Sequence, residues 1–194
     1  MSVPGLEGFE PAFADELGVI MGWGFQHMQR RRGGSIYLRL STRPIEQPKR
    51  EMSDGLQGDI VAGAYWRVAP AEGAKRVIAY SGVVAPEAAT AFENIAAENS
   101  GAGLLAITAP GRLHADWLQR GPDSHVARLL APLAPQSRII SVLDGHPATL
   151  SWIGAVGGHA IRPLGVSRFG QSADLHDLFA EYGIDAAAIE AAAH

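Results

Sequence analysis

From Pro11 onward, apolar residues fall at Phe13, Leu17, Ile20, Met21, Gly24 and Met28, close to the helical period, and predict an amphipathic helix. Pro11 suits the first helical turn, where no intrahelical amide bond is needed. The run Arg30, Arg31, Arg32 suits the negative end of the helix dipole, and Gly33-Gly34 break the helix there. We read the arginines as a solvated helix end. From Ser35 to Ser41, Ile36, Leu38 and Leu40 alternate against Tyr37 and Arg39, a strand with one buried face. One strand cannot satisfy its own backbone groups, so this helix and strand read as an incomplete unit. From Arg43 to Asp59 the chain turns to Pro, Glu, Gln, Lys, Asp and Gly, with Pro44 and Pro48 opposing regular structure. It reads as a linker of about 15 residues, long for a connection inside one compact unit.

Beyond the linker the pattern is regular. Apolar runs at Arg76–Ser81, Leu104–Thr108, Arg138–Leu143 and Ala160–Val166 predict four strands. Between them the period changes to 3.6, predicting helices over Pro86 to about Asn99, a broken helical region over Leu113–Leu130 with Ser124 as a cap, and Pro147–Val156. Short helices over Asp174–Tyr182 and Asp185–Ala193 close the pattern, the second capped by Asp185. Strands alternating with helical crossovers imply a mostly parallel sheet covered on both faces, a three-layer α/β/α sandwich over residues 59–194.

Composition narrows the partners. The 194 residues carry a net charge of −4 and no cysteine, which excludes disulfides, thiolate metal sites and thiol catalysis and gives no basic footprint for nucleic acid. No apolar run reaches membrane-spanning length, and the start Met-Ser-Val-Pro-Gly lacks a signal peptide's basic and apolar regions. Nucleic acid and membrane are not expected partners, and a reducing cytoplasm is the expected setting.

Chemical motifs are sparse. There is no Walker A, GxSxG or HExxH pattern. Gly101-Ala-Gly-Leu-Leu-Ala106 matches GxGxxA, but it precedes a strand, whereas a dinucleotide fingerprint follows one. The seven histidines form no HxH or HxxxH pair and give no zinc spacing. Asp144 and His146 follow the third strand of the sheet, where parallel α/β sheets bind ligands and where an Asp and a His can transfer protons. The competing reading is a turn in which Asp144 caps the helix opening at Pro147. Ser81-Gly82, at the end of the first sheet strand, reads as a tight turn rather than a nucleophile. A hydrolase using Ser81, His146 and Asp144 lacks the elbow motif.

Taken in order, Phe9-Glu-Pro-Ala-Phe-Ala-Asp-Glu-Leu17, Ile36-Tyr-Leu-Arg-Leu-Ser-Thr-Arg43, Tyr80-Ser-Gly-Val-Val-Ala-Pro-Glu-Ala88 and Phe169-Gly-Gln-Ser172 resemble the C-terminal portion of transketolase-like thiamine diphosphate enzymes, above all the homodimeric pyruvate dehydrogenase E1 component. The resemblance covers nearly the whole chain. It implies that residues 1–47 are the end of a pyrimidine-binding domain, 48–58 a linker, and 59–194 a transketolase C-terminal-like domain. It further implies a parent enzyme using thiamine diphosphate and magnesium to decarboxylate a 2-oxo acid such as pyruvate or 2-oxobutyrate, or to transfer a ketol unit from a sugar phosphate. Implied partners are the remainder of the parent chain, a homodimer partner and an E2 component. The family's cofactor motif, activating glutamate and active-site histidines belong to regions outside this chain, so no catalytic residue and no cofactor bound to this segment alone are expected. Arg43 resembles a substrate-phosphate arginine of transketolases. A stand-alone α/β module binding a small ligand at the strand ends near Gly82, Pro110 and Asp144 is the alternative.

Overall fold

The computed structural model describes residues 3, 5–98 and 101–194. Strands β1 (Leu6–Phe9) and β2 (Ser35–Leu38) form a parallel pair, joined by helix α1 (Ala14–Met28). β1 therefore supplies the missing partner for the strand at Ser35, which ends at Leu38 rather than Ser41. The Glu16 carboxylate accepts from the amides of Ala12 (2.7 Å) and Phe13 (3.2 Å), closing the start of α1. Gly24 lets α1 lie on β2: a Cβ there would stand 2.5 Å from Ile36 Cδ1.

The stretch predicted as linker to Asp59 is corrected at its end, where helix α2 (Asp54–Ala62) begins. Ser53 caps it by accepting from Leu56 N at 3.3 Å, and Gly63 ends it at φ +114°. A cap outweighed the polar, glycine-bearing composition. Strand β3 (Ala64–Val68), also unforeseen, follows immediately.

The main sheet contains β3, β4 (Ala74–Ser81), β5 (Gly103–Ile107), β6 (Leu133–Leu143) and β7 (Ala160–Leu164) in the order β3-β5-β4-β6-β7. β3 is antiparallel to β5 and the other pairings are parallel. Helices α3 (Ala85–Glu98), α4 (Pro110–Arg120), α5 (His125–Leu130), α6 (Ala148–Ser151), α7 (Leu175–Tyr182) and α8 (Ala186–Ala193) cover the faces. Asn99, at the expected end of α3, lies outside the described residues. β6 begins five residues earlier than its apolar run, and the helix expected over Pro147–Val156 is one α-turn followed by a 3₁₀ segment at Trp152–Ala155. Ser124 and Asp185 cap α5 and α8 as expected.

Each central strand buries both faces, which is why its sequence reads as a continuous apolar run. Ile78, Tyr80, Ile140 and Val142 pack with α3, α7 and α8, while Val77, Ala79, Leu105, Ile107 and Ile139 pack with Leu113, Val126, Leu130 and Ile153. Phe9, Phe13 and Ile20 belong to the first of these clusters, so one hydrophobic core runs unbroken from the N-terminal unit into the α/β sandwich. No helix among the described residues is long and apolar enough to cross a membrane.

Candidate functional site

The chain leaves β4 for β5 on one side, then crosses back over β4 to reach β6 on the other. The connections diverge at the carboxyl end of β4, the place where open α/β sheets form a ligand crevice. Gly82 follows β4 there at φ +67°, a backbone conformation that penalises any Cβ.

That crevice is filled by the N-terminal unit. A Cβ on Gly82 would lie 2.5 Å from Glu10 Oε1. Glu10, directly after β1, also donates its backbone amide to Thr108 O at 2.7 Å. Arg39, directly after β2, is held by its own amide on Phe9 O at 2.9 Å. Its guanidinium donates to Glu10 Oε1 and, at 3.1 Å, to Asp144 Oδ2. Glu10, Arg39 and Asp144 thus form a latch across the strand ends. The Glu10 side chain is 14% exposed, and its burial pushes the carboxyl above the ordinary range, with Arg39 pulling the other way and Asp144 adding to the rise. Burial works against the Arg39 charge, but the two carboxylates outweigh it and raise its pKa.

Asp144 therefore stands in the expected crevice, but its carboxylate holds Arg39 and does not cap the next helix. His146 takes that part: its exposed ring accepts from Ala148 N at 3.2 Å through Nδ1. Ser81 is fully buried and donates to Ile107 O at 2.8 Å, so no serine, histidine and aspartate are brought together. Arg43 lies elsewhere, with its guanidinium on both Glu87 oxygens (2.9 and 2.7 Å), on Val83 O (3.3 Å) and 5.4 Å from the Phe179 ring centroid. Sequence reasoning missed Glu10 and Arg39. Their signal was Arg39 among the polar positions of the strand at Ser35, but Glu10 needed β1, which is only four residues long.

A groove of about 860 Å³ opens beside the latch, lined by Glu7, Tyr37, Arg39, Arg112, His114, Thr149 and Trp152. Arg112 is itself paired with Glu7 at 3.2 Å and lies 4.7 Å from the Trp23 ring centroid. His114 packs against both Trp117 and Trp152, at 5.9 and 4.7 Å between ring centroids, and those two rings stack on each other at 5.5 Å. Both groove arginines have carboxylate partners, and no group of three His, Asp or Glu side chains among the described residues could hold a metal ion. A diphosphate with its magnesium does not fit these residues.

A second polar cluster ties the irregular segment before α2 to both units. Arg50 Nε and Nη2 donate to Asp15 at 2.7 and 2.8 Å, and Nη1 donates to Tyr65 Oη at 2.6 Å. Tyr65 in turn donates to the buried Glu16 at 2.5 Å. Burial opposes ionisation of Asp15, yet the hydrogen bonds and charge of Arg50 hold it below its ordinary value. Glu16 goes the other way, raised by burial.

Comparison with solved structures finds the same fold in transketolase from Leishmania mexicana, with a TM-score of 0.70 and 21% identity over 97% of this chain and 24% of that one. Transketolase from Campylobacter jejuni gives 0.69 and 18%, over 96% and 26%. A split gene transketolase, described as an inactive beta4 tetramer, gives 0.67 and 14%, over 98% and 57%. The fold is that of a transketolase C-terminal-like domain, and the chain spans about a quarter of the length of the first two proteins. No protein-family model and no curated protein matches the chain.

Proposed function

We propose that this chain is the C-terminal portion of a thiamine diphosphate-dependent enzyme of the pyruvate dehydrogenase E1 kind, within the broader transketolase class, and that it contributes structure and dimer contacts rather than chemistry. The observation that carries this reading is the filled crevice. Where a stand-alone α/β module would receive its ligand, Glu10 and Arg39 of the same chain already sit against Gly82 and Asp144. This also argues against the small-ligand module.

The surface of the N-terminal unit supports the same reading. Parallel strands are normally embedded in larger, doubly covered sheets, yet β1 and β2 pair only with each other among the described residues. On α1, Met21, Phe25 and Met28 are 41, 54 and 48% exposed and follow one side of the helix at spacings of four and three. An open strand edge beside an apolar helix stripe would receive the remainder of the parent chain. On this reading residues 1–47 end a pyrimidine-binding domain, 48–58 link it, and 59–194 form the C-terminal domain of a cytoplasmic homodimer that serves an E2 component. Thiamine diphosphate, bound with magnesium by other parts of that enzyme, would supply the electron sink for decarboxylation. The residues of this chain fix the N-terminal unit in place: Arg39 at the strand ends and Arg50 beneath α1. Arg43, carried by its resemblance to a substrate-phosphate arginine, would reach substrate only by leaving Glu87.

The isolated chain, given pyruvate, thiamine diphosphate, magnesium and an artificial electron acceptor, should show no turnover above the blank. Cofactor-dependent decarboxylation by this chain alone would overturn the proposal.

A further inference from the structure

At the amino end of the sheet, on the face covered by α7 and α8, three arginines lie close together. Arg76 on β4 and Arg138 on β6 are register partners. Arg162 on β7 is the register partner of Ile140, two residues beyond Arg138, which puts it on the same face as a diagonal neighbour of Arg138. Diagonal neighbours stand roughly 7–8 Å apart, within reach of long side chains, and like charges placed this way repel.

The arrangement is answered for Arg76, whose Nε donates to Ala193 O at 2.8 Å at the negative end of α8. It is not answered for the other two. Arg39, Arg43, Arg50, Arg112, Arg120 and Arg168 each hold a carboxylate. Arg138 and Arg162 are exposed and have no carboxylate, carbonyl or ring partner among the described residues. Both line a groove of about 650 Å³ whose walls include Leu164, Tyr182, Ala188 and Ala192. That volume lies within the range of small-molecule sites, about 300–1,000 Å³. Ala188 and Ala192 present only methyl groups to this groove. The Tyr182 ring is held in place because its hydroxyl donates to Phe169 O at 2.9 Å.

We propose that this groove binds a phosphate monoester with a compact apolar body. Two guanidinium groups from adjacent strands present more donors than a carboxylate can accept, whereas a phosphate dianion offers three oxygens to both forks. The body of the ester lies against Leu164 and Tyr182. The site is on the opposite end of the sheet from the Glu10, Arg39 and Asp144 latch, and it does not depend on the chain's place in a larger enzyme.

Titration calorimetry in low-salt buffer with phenyl phosphate tests it, because screening weakens exposed ion pairs. The chain should give a saturable isotherm, and inorganic phosphate, lacking the apolar body, should bind more weakly. R138Q and R162Q, folded by circular dichroism, should each weaken phenyl phosphate about tenfold, the effect of losing one hydrogen bond to a charged group. R31Q, which removes an exposed arginine far along the chain, should leave the affinity unchanged. Absence of saturable binding, equal affinity for inorganic phosphate, or unchanged affinity in R138Q and R162Q would each overturn the assignment.

Discussion

Two arginines fasten the N-terminal unit to the sheet, in opposite surroundings. Arg50 lies between aromatic rings, with its guanidinium 5.4 Å from the Phe13 centroid and 5.0 Å from that of Tyr65, and its side chain is 17% exposed. Arg39 spans from Glu10 to Asp144 at the rim of a groove and is 41% exposed. Each stands by a glutamate whose carboxyl is pushed up by desolvation, the buried Glu16 in one case and the half-buried Glu10 in the other. In the Arg50 cluster the guanidinium and Glu16 are largely shielded from water, so removing one partner leaves charge that solvent only partly compensates. At the rim, water replaces much of what is lost. Similar ion pairs therefore play unlike parts: one junction is fixed and the other can adjust.

The fixed junction predicts the largest effect. R50A takes both guanidinium hydrogen bonds from Asp15, leaving it the Glu16 amide, and removes a cation from between two rings, and should lower unfolding free energy by about 3 kcal/mol in urea denaturation. A loss no greater than that of an exposed ion pair would make the two junctions equivalent. G82A comes next, at about 2 kcal/mol, because it combines a left-handed backbone with a clash against Glu10. Adding E10A should relieve the clash and leave the backbone strain, so the double variant should be more stable than additivity predicts. Strict additivity would show that Glu10 swings clear of the new methyl without cost, so that the clash contributes nothing.

A pH series sharpens the same contrast more gently. Because burial holds Glu10 above its ordinary value despite Arg39, the folded chain binds that proton more tightly than the unfolded chain. The stability so gained is full below the unfolded value and is lost as pH rises through the raised folded value. As pH rises from the ordinary carboxylate range, E10Q should therefore lose less stability than the native chain, as urea denaturation across a pH series would show. Asp15, held low by Arg50, has the reverse sign: its contribution is present above its ordinary value and is lost as pH falls, so R50A should lose less stability on acidification than the native chain. The smallest effect belongs to H146A, which removes only an exposed ring capping one amide and should cost less than about 0.5 kcal/mol.

The parts of the fold that could be read in the sequence are those where local pattern and burial coincide. β4, β5 and the helix between them announce themselves because both strand faces are buried and α3 keeps a clean 3.6 period. β1, β3 and α2 did not, since two short strands and a glycine-bearing helix owe their form to neighbours and to the Ser53 cap more than to propensity. For the site, the strand-end rule located Asp144, because its position follows from topology. The rule could not supply Glu10, since that side chain reaches the crevice only through packing between segments distant in sequence. Arg43 shows the converse: a motif likeness drew attention to a guanidinium that the fold commits to Glu87.

The contact between Glu10 and Gly82 also bears on how such a chain can drift. A side chain at 82 requires a shorter residue at 10, and a shorter residue at 10 leaves Arg39 to Asp144 alone, so the three positions form one inherited unit. Descendants should exchange them together or not at all, and aligned relatives that share this crevice should show positions 10, 39 and 82 covarying while exposed neighbours such as His146 change freely.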